Sequence, residues 1–549
     1  MIDKRTITVV LACMLALFGF QALINKIYPP LPKKPRPAAE TNTVSNVVAQ
    51  VAAAVTNGPV AQWAPATAEP PPARPAEQIA VLSNRFVRVE ITSWGGGVRT
   101  VELLQYKADH QGQVVLNATA DTPALALRGL PGHEGAYEFS AVTATSLVMR
   151  AIYGGGATVV KELVLGPDYL LHGTVQVTPL TTQTVQIVVG QAAPLLAAEA
   201  AQFVGVDWLA GTRYQNRDLG ALWKNNAQKL YIEPTSAPWG AVKNQFFAMV
   251  LTPSTNAVAV HYLPQRLAIP TGWTGKQPPD AANAALEVPA TRTGETATWA
   301  FTFYAGPKEY NRLAALGKGQ EDVMGFGFWG PISVVLLKSM KICFKLVPNY
   351  GVAIILITIA IKLVFWPIQA KSIQSMKQMQ KFQPMMAKLK EKYKDDSQRM
   401  NQEMMKLYKE HKINPFGGCL PMLVQIPVFF GLFAMLRSAI ELRGAPFFWI
   451  RDLSQPDTIF HIAGLPVNPL PLVMTAAMVW QQKLTPTTGD AQQAKMMMFM
   501  PLIMLVFFYN ASSGLALYWT VQQFLSIAQQ WWSLRQPGAA LAVAPAKPK

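Results

Sequence analysis

Lys362 stands alone in the apolar run 350–368, Tyr-Gly-Val-Ala-Ile-Ile-Leu-Ile-Thr-Ile-Ala-Ile-Lys-Leu-Val-Phe-Trp-Pro-Ile. Such a run is long enough to cross a bilayer, and a cation inside one costs roughly 3 kcal/mol even on the lenient insertion scale. Intramembrane charges usually pair with one another, yet no Asp or Glu interrupts the other apolar runs. The expected partner of Lys362 is therefore water, a lipid phosphate or a group that arrives; the competing reading is that the amine snorkels to the nearer interface. Thr358 lies one turn earlier on the same face. Gln425 lies in the run 419–436 at a comparable depth, and Tyr518, Gln522, Ser526 and Gln529 recur at i, i+4, i+8 and i+11 in the run 514–532. Hydrogen bonding between helices is the common use of Gln and Ser in membranes; it explains the glutamines and leaves the lysine unexplained. A hydrated cavity open to the cytoplasm explains both. No catalytic residue, metal ligand set, cofactor motif or phosphate-binding glycine loop is expected, and an enclosed ion path would need acids that these runs lack.

The elements that must hold these residues are written in composition. Of 549 residues, 50% are hydrophobic and 14% charged, which is too apolar for a soluble chain of this length and predicts a polytopic helical membrane protein. The formal net charge of +17 raises nucleic acid as a partner, but the basic residues concentrate between spans and carry no nucleic-acid specificity. Residues 371–412 hold eleven Lys or Arg against five acids, which marks this loop as cytoplasmic. Spans are expected at 7–24, 350–368, 419–436, about 464–481, about 496–510 and 514–532. These make six spans, with both termini cytoplasmic and residues 348–532 forming a five-span core. Lys362 then lies six residues from the inner end of its span, about 9 Å at helical rise. The span at 464–481 is short and interrupted by Pro466, Pro469 and Pro471, so local membrane thinning is one reading and completion by polar flanks the other.

Residues 1–28, which contain the first span, are expected to be a retained anchor and 29–78 a Pro/Ala-rich tether. Residues 79–320 alternate apolar and polar groups between turn residues, as in Phe86-Val-Arg-Val-Glu-Ile-Thr, and predict an antiparallel β-sandwich on the periplasmic side. Its His110, His133, His172 and His261 show no ligand spacing. The segment 326–347 places Lys338, Lys341 and Lys345 opposite Leu336, Met340 and Phe344, the pattern of an amphipathic helix lying in the interface; a short helix packed on the β-domain is the alternative. Residues 371–412 predict a basic helical hairpin with a methionine-rich seam between its arms, a cap at Asp396 and a kink at Pro384. Residues 533–549 form a short cytoplasmic tail.

Several stretches carry a resemblance: 411–428 (His-Lys-Ile-Asn-Pro-Phe-Gly-Gly-Cys-Leu-Pro-Met-Leu-Val-Gln-Ile-Pro-Val), Glu441-Leu-Arg-Gly-Ala-Pro-Phe447, Lys483-Leu-Thr-Pro-Thr487 and Ser513-Gly-Leu-Ala-Leu-Tyr-Trp519. Together they resemble the YidC insertase family of the bacterial inner membrane, with Tyr304-Ala-Gly-Pro-Lys-Glu-Tyr310 like the junction after its periplasmic domain. The resemblance implies an insertase and chaperone for nascent membrane proteins, acting alone or with the Sec translocon, in contact with lipid and with the ribosome through the hairpin. It also implies a substrate groove in which Lys362, Thr358, Gln425, Tyr518 and Trp519 match family positions, beside Gln522 of the polar stripe. Relatives of this layout usually carry arginine where this chain has Lys362; lysine keeps the charge without the two-pronged fork. The alternative, a solute transporter, would show internal repeats and binding helices at the midplane, and the sequence displays neither.

Overall fold

The computed structural model describes residues 75–535 except 109–111, 131–135, 196–198, 200, 223–228, 270–272, 274–277, 291–293, 394–395, 412–419, 463 and 485–490. The expected anchor at 7–24, most of the 29–78 tether and the 533–549 tail beyond Arg535 lie outside the described residues. The chain divides into two units, one ending at Met324 and one beginning at Gly325.

Alternating texture in the first unit becomes antiparallel sheet. Thr158–Leu165 and Leu170–Thr178 bury every second side chain and pair along their whole length, as expected for strands with one face in a core. A nine-stranded sheet runs from Arg213–Asp218 through Gly205–Ala210, Gly240–Lys243, Phe247–Pro253, Ala297–Pro307, Leu170–Thr178, Thr158–Leu165 and Ser146–Ile152 to Glu138–Val142. A five-stranded sheet contains Tyr231–Ala237, Ala257–Arg266, Asp280–Pro289, Thr184–Ala192 and Leu127–Arg128. These two pack face to face. A Cβ on Gly240 of the first would come within 2.6 Å of Leu286 Cδ2 on the second, so the layers approach as closely as glycine allows. A separate four-stranded sheet opens the unit, from Ile79–Ser83 to Gln113–Leu116.

Buried charges in this unit are held by specific partners. Lys161, fully buried, donates to the carbonyls of Gly95, Gly96 and Leu125 at 3.3, 2.7 and 2.9 Å. Lys243 meets Asp207 at 2.5 Å, and Asp207 also accepts from Tyr214 and Asn216 at 2.7 Å each. Lys308 is buried beside this cluster; burial, with repulsion from Lys243, pushes its ammonium down from 10.5 to about 7. The short helix α1 (Tyr310–Leu316) follows, and its Arg312 pairs with Asp168 and Glu309.

The second unit is helical. It comprises α2 (Gly330–Leu346), α3 (Tyr350–Lys392), α4 (Ser397–Glu410), α5 (Leu420–Ser438), α6 (Pro469–Leu484), α7 (Ala491–Phe508) and α8 (Ser513–Arg535). Among the described residues, two segments reach the dimensions of a span by length and apolarity, Gly327–Leu346 and Tyr350–Met376, and two shorter apolar helices are Val424–Ser438 and Met498–Phe508. The first of these contains α2, the segment expected to lie in the interface. Lys338, expected on the wet face with Lys341 and Lys345, is buried: the middle turns of α2 pack on the helical unit, where Ser333 Oγ donates to Gly431 O of α5 at 2.8 Å.

Two boundaries differ from the sequence reading. The span at 350–368 and the first hairpin arm form one 43-residue helix, capped by Asn349, whose side chain accepts from Val352 N at 3.1 Å. Pro367 and Pro384 lie inside α3; each removes one backbone hydrogen bond, while the Gln, Lys and Met around them keep good helix propensity. The apolar run begun at 464 is not helical throughout. Leu465–Val467 pairs with Phe460–Ile462 as a hairpin, and α6 starts at Pro469, the first-turn position that proline favours. Between the arms of the basic hairpin, Met379, Met386 and Leu407 form a buried cluster flanked by Leu389, Met404 and Tyr408. Asp396 caps α4 by accepting from Arg399 N at 2.9 Å.

Candidate functional site

Three helices carry the polar residues singled out in the sequence. Lys362 of α3 is 4% exposed, and its Nζ donates to Ser526 Oγ of α8 at 2.7 Å; Ser526 in turn donates to Gln522 O, one turn earlier, at 2.8 Å. A hydroxyl of the chain itself is thus a partner, where the sequence led to the expectation of water, a lipid phosphate or an arriving group. A hydroxyl orients an ammonium without neutralising it, and no ion pair to Lys362 is seen among the described residues. Thr358, one turn before, is fully buried and donates to Ile354 O at 2.7 Å, so its hydroxyl is satisfied within its own helix.

The second polar pair joins α5 to α8: Gln425 Nε2 donates to Tyr518 Oη at 2.6 Å. Trp519 packs edge-on against Phe429 at 5.1 Å and tilted against Phe508 at 5.4 Å. The Trp519 Nε1 and Gln522 Oε1 atoms are buried without a hydrogen-bond partner, as are Gln369 Oε1 and Gln529 Nε2. In a site closed to water such atoms would each cost a desolvation penalty of about 1–3 kcal/mol; a site that admits water or a polar chain removes it. α8 is the common wall, presenting Tyr518, Gln522, Ser526 and Gln529 along one side while Lys362 reaches it from α3 and Gln425 from α5.

A bracing contact was not legible beforehand. Lys341 of α2 and Glu441, just after α5, approach to 2.8 Å with the carboxylate 9% exposed. Glu441 was visible as a lone acid after an apolar run, but nothing local assigns its partner. Gly351 at the start of α3 seats Phe447, where a Cβ would come within 2.2 Å of the ring.

One chain thus carries an antiparallel sheet unit and an apolar helical unit. Residues 342–538 match the family described as 60Kd inner membrane protein, and residues 79–339 match the YidC periplasmic domain. The membrane protein insertase YidC of Pelobacter propionicus is 35% identical over 560 residues, covering 96% of this chain and 98% of that one. That of Oleidesulfovibrio alaskensis is 44% identical over 307 residues, 54% of each chain. A crystal structure of an active YidC insertase with its first transmembrane domain resolved covers 83% of this chain at 18% identity and a TM-score of 0.36. The chain belongs to the YidC family of membrane protein insertases.

Proposed function

We propose that the side of α8 facing Lys362 and Gln425 lines a hydrated groove, open to the cytoplasm, that receives the polar segments of nascent membrane proteins while their apolar segments partition into lipid. The observation that carries this reading is the coordination of Lys362, a buried ammonium in an apolar helix with, among the described residues, one neutral partner at 2.7 Å. An ammonium carries three N–H donors, so acidic or carbonyl groups of an incoming chain find donors already oriented. In this topology six spans place both termini in the cytoplasm, the sheet unit faces the periplasm and α2 lies in the outer interface. The basic arms at 371–412 meet the ribosome, the Sec translocon or the emerging chain. Apolar partitioning, groove electrostatics and the membrane potential supply the drive.

The test is accessibility. With Cys13, Cys343 and Cys419 replaced, a Lys362→Cys chain in sealed vesicles reacts with an impermeant thiol reagent supplied from the cytoplasmic face. Complete protection overturns the hydrated groove. Deleting residues 376–409 is expected to abolish insertion and leave the chain in the membrane; full activity of that deletion removes the hairpin from the mechanism.

A further inference from the structure

Between Asp457 and Lys483 the chain has no charged residue, and His461 is its sole titratable group. The middle of this stretch is neither loop nor span: Phe460–Ile462 pairs with Leu465–Val467, with Ile462 opposite Leu465 and Gly464 at φ +80 in the connection. Its apolar side chains stand out from the protein, with Phe460 51%, Ile462 60% and Leu465 70% exposed. A two-stranded hairpin with no core of its own is marginal in water.

This hairpin is nonetheless rooted firmly. Asn468, fully buried, accepts from Thr458 Oγ1 and donates to Tyr509 O, both at 2.7 Å. The Tyr509 hydroxyl returns to Pro466 O. Asp457 caps the start of α6 by accepting from Leu470 N at 2.7 Å, and it holds Trp449 Nε1 at 3.1 Å. The hairpin is thereby fixed to the start of α6 and the end of α7. Those helices also expose apolar side chains, Leu472 and Val473 on one and Leu502, Val506 and Phe507 on the other, and Phe448 and Trp449, the latter bonded to Asp457, are exposed as well.

We infer that the 458–467 hairpin is immersed in the membrane at the headgroup–acyl boundary of the leaflet where α6 begins, and there fixes the ends of α6 and α7. The depth follows from the backbone. A two-stranded hairpin has two unpaired edges, which the hydrocarbon core does not tolerate, while its uncharged apolar side chains have nothing to gain from water. The boundary region satisfies both. The inference rests on the inner-membrane placement of the chain and is independent of how the groove works.

The test uses the full chain with its cysteines replaced and Ile462→Cys carrying an environment-sensitive fluorophore, reconstituted into phosphatidylcholine–phosphatidylglycerol vesicles. Lipid bearing a doxyl quencher near the glycerol is expected to reduce emission at least two-fold, and iodide in the buffer to leave it unchanged. Val142→Cys on the sheet unit, 54% exposed, is expected to behave in the opposite way. Quenching of the Ile462 probe by iodide and not by lipid puts the hairpin in water and overturns the inference. Resistance to both quenchers means that protein covers it, and overturns it equally. Leu465→Cys on the facing strand gives the same readout should Ile462→Cys fail to assemble. Insertion activity measured on the same vesicles reports on the groove separately.

Discussion

The charge of Lys362 can be measured through its substrate. Replacing Lys362 with Met removes the ammonium at nearly constant length, and replacing one Asp in the translocated segment of a small substrate with Asn removes its counterpart. Two unit charges about 4 Å apart interact by about 1 kcal/mol in bulk water and about 4 kcal/mol at the effective dielectric near a protein surface. These convert to coupling factors of about five and about 700. The single neutral hydroxyl beside Lys362 and the orphan polar atoms on Trp519, Gln522 and Gln529 argue for hydration, so the expected coupling is near the lower figure. The assay is protease protection of the translocated tail in reconstituted vesicles, for both proteins with both substrates. General damage to the insertase affects both substrates alike and cancels in the cycle. Additive effects, with coupling below about 1.5-fold, would refute a direct charge contact, and coupling of several hundred-fold would refute the hydrated groove. Lys362→Arg is expected to retain the coupling.

Other outcomes follow from individual contacts. A deletion of residues 85–300 that keeps everything from 305 onward is expected to insert a small substrate, whereas one extending through 346 removes α2 and its Lys341–Glu441 contact and is expected to fail in the same vesicle assay. Gly351→Ala forces a methyl against the Phe447 ring, 2.2 Å away, and is expected to destabilise the helical unit by about 1–3 kcal/mol, read as a lowered detergent-melting midpoint. In the sheet unit, Lys308 is neutral above about 7 when folded while its unfolded counterpart stays protonated to about 10.4. The unfolded state therefore binds the extra proton across that window, and stability rises with pH from about 7 upward by at most about 1.4 kcal/mol per unit. Hydrogen exchange in Gly240–Lys243, corrected for its intrinsic pH dependence, should slow between pH 7 and 9, and Lys308→Met should flatten that trend.

Legibility in the sequence followed the range of the physics. The cost of a lone intramembrane lysine is local, so Lys362 stood out, and the i, i+4 spacing put Tyr518, Gln522 and Ser526 on one face of a helix. Which helix that face meets is a long-range fact, so the Lys362–Ser526 bond and the Lys341–Glu441 contact came only with the fold. The methionine seam could be read because Met379, Met386 and Leu407 keep helical spacing within each arm. The passage from span to basic arm at 371 is a change of charge density and not of helix propensity, so one helix, α3, runs through it. The first residues of the run expected as a span at about 464–481 form the second strand of a hairpin, because a short apolar run does not distinguish strand from helix by periodicity; the prolines at 466, 469 and 471 are the available signal, one inside a strand and two in the first turn of a helix.

Two buried lysines of the sheet unit, Lys161 and Lys243, are held more fully than Lys362. Lys161 spends three donors on three backbone carbonyls, and its ammonium lies 4.8 Å from the Tyr137 ring. Lys243 meets a carboxylate that two further side chains hold in place. Lys161 has a carbonyl for each donor, and Lys243 adds the Tyr214 hydroxyl at 3.0 Å to its carboxylate partner. Lys362 has one hydroxyl, on a helix face where neighbouring amide and indole atoms also lack partners. A fold that can surround a lysine completely in one unit and leaves another so lightly held in the next treats the two differently. In a membrane an unmet ammonium is costly, so the proposed groove requires that water or substrate complete the light coordination of Lys362.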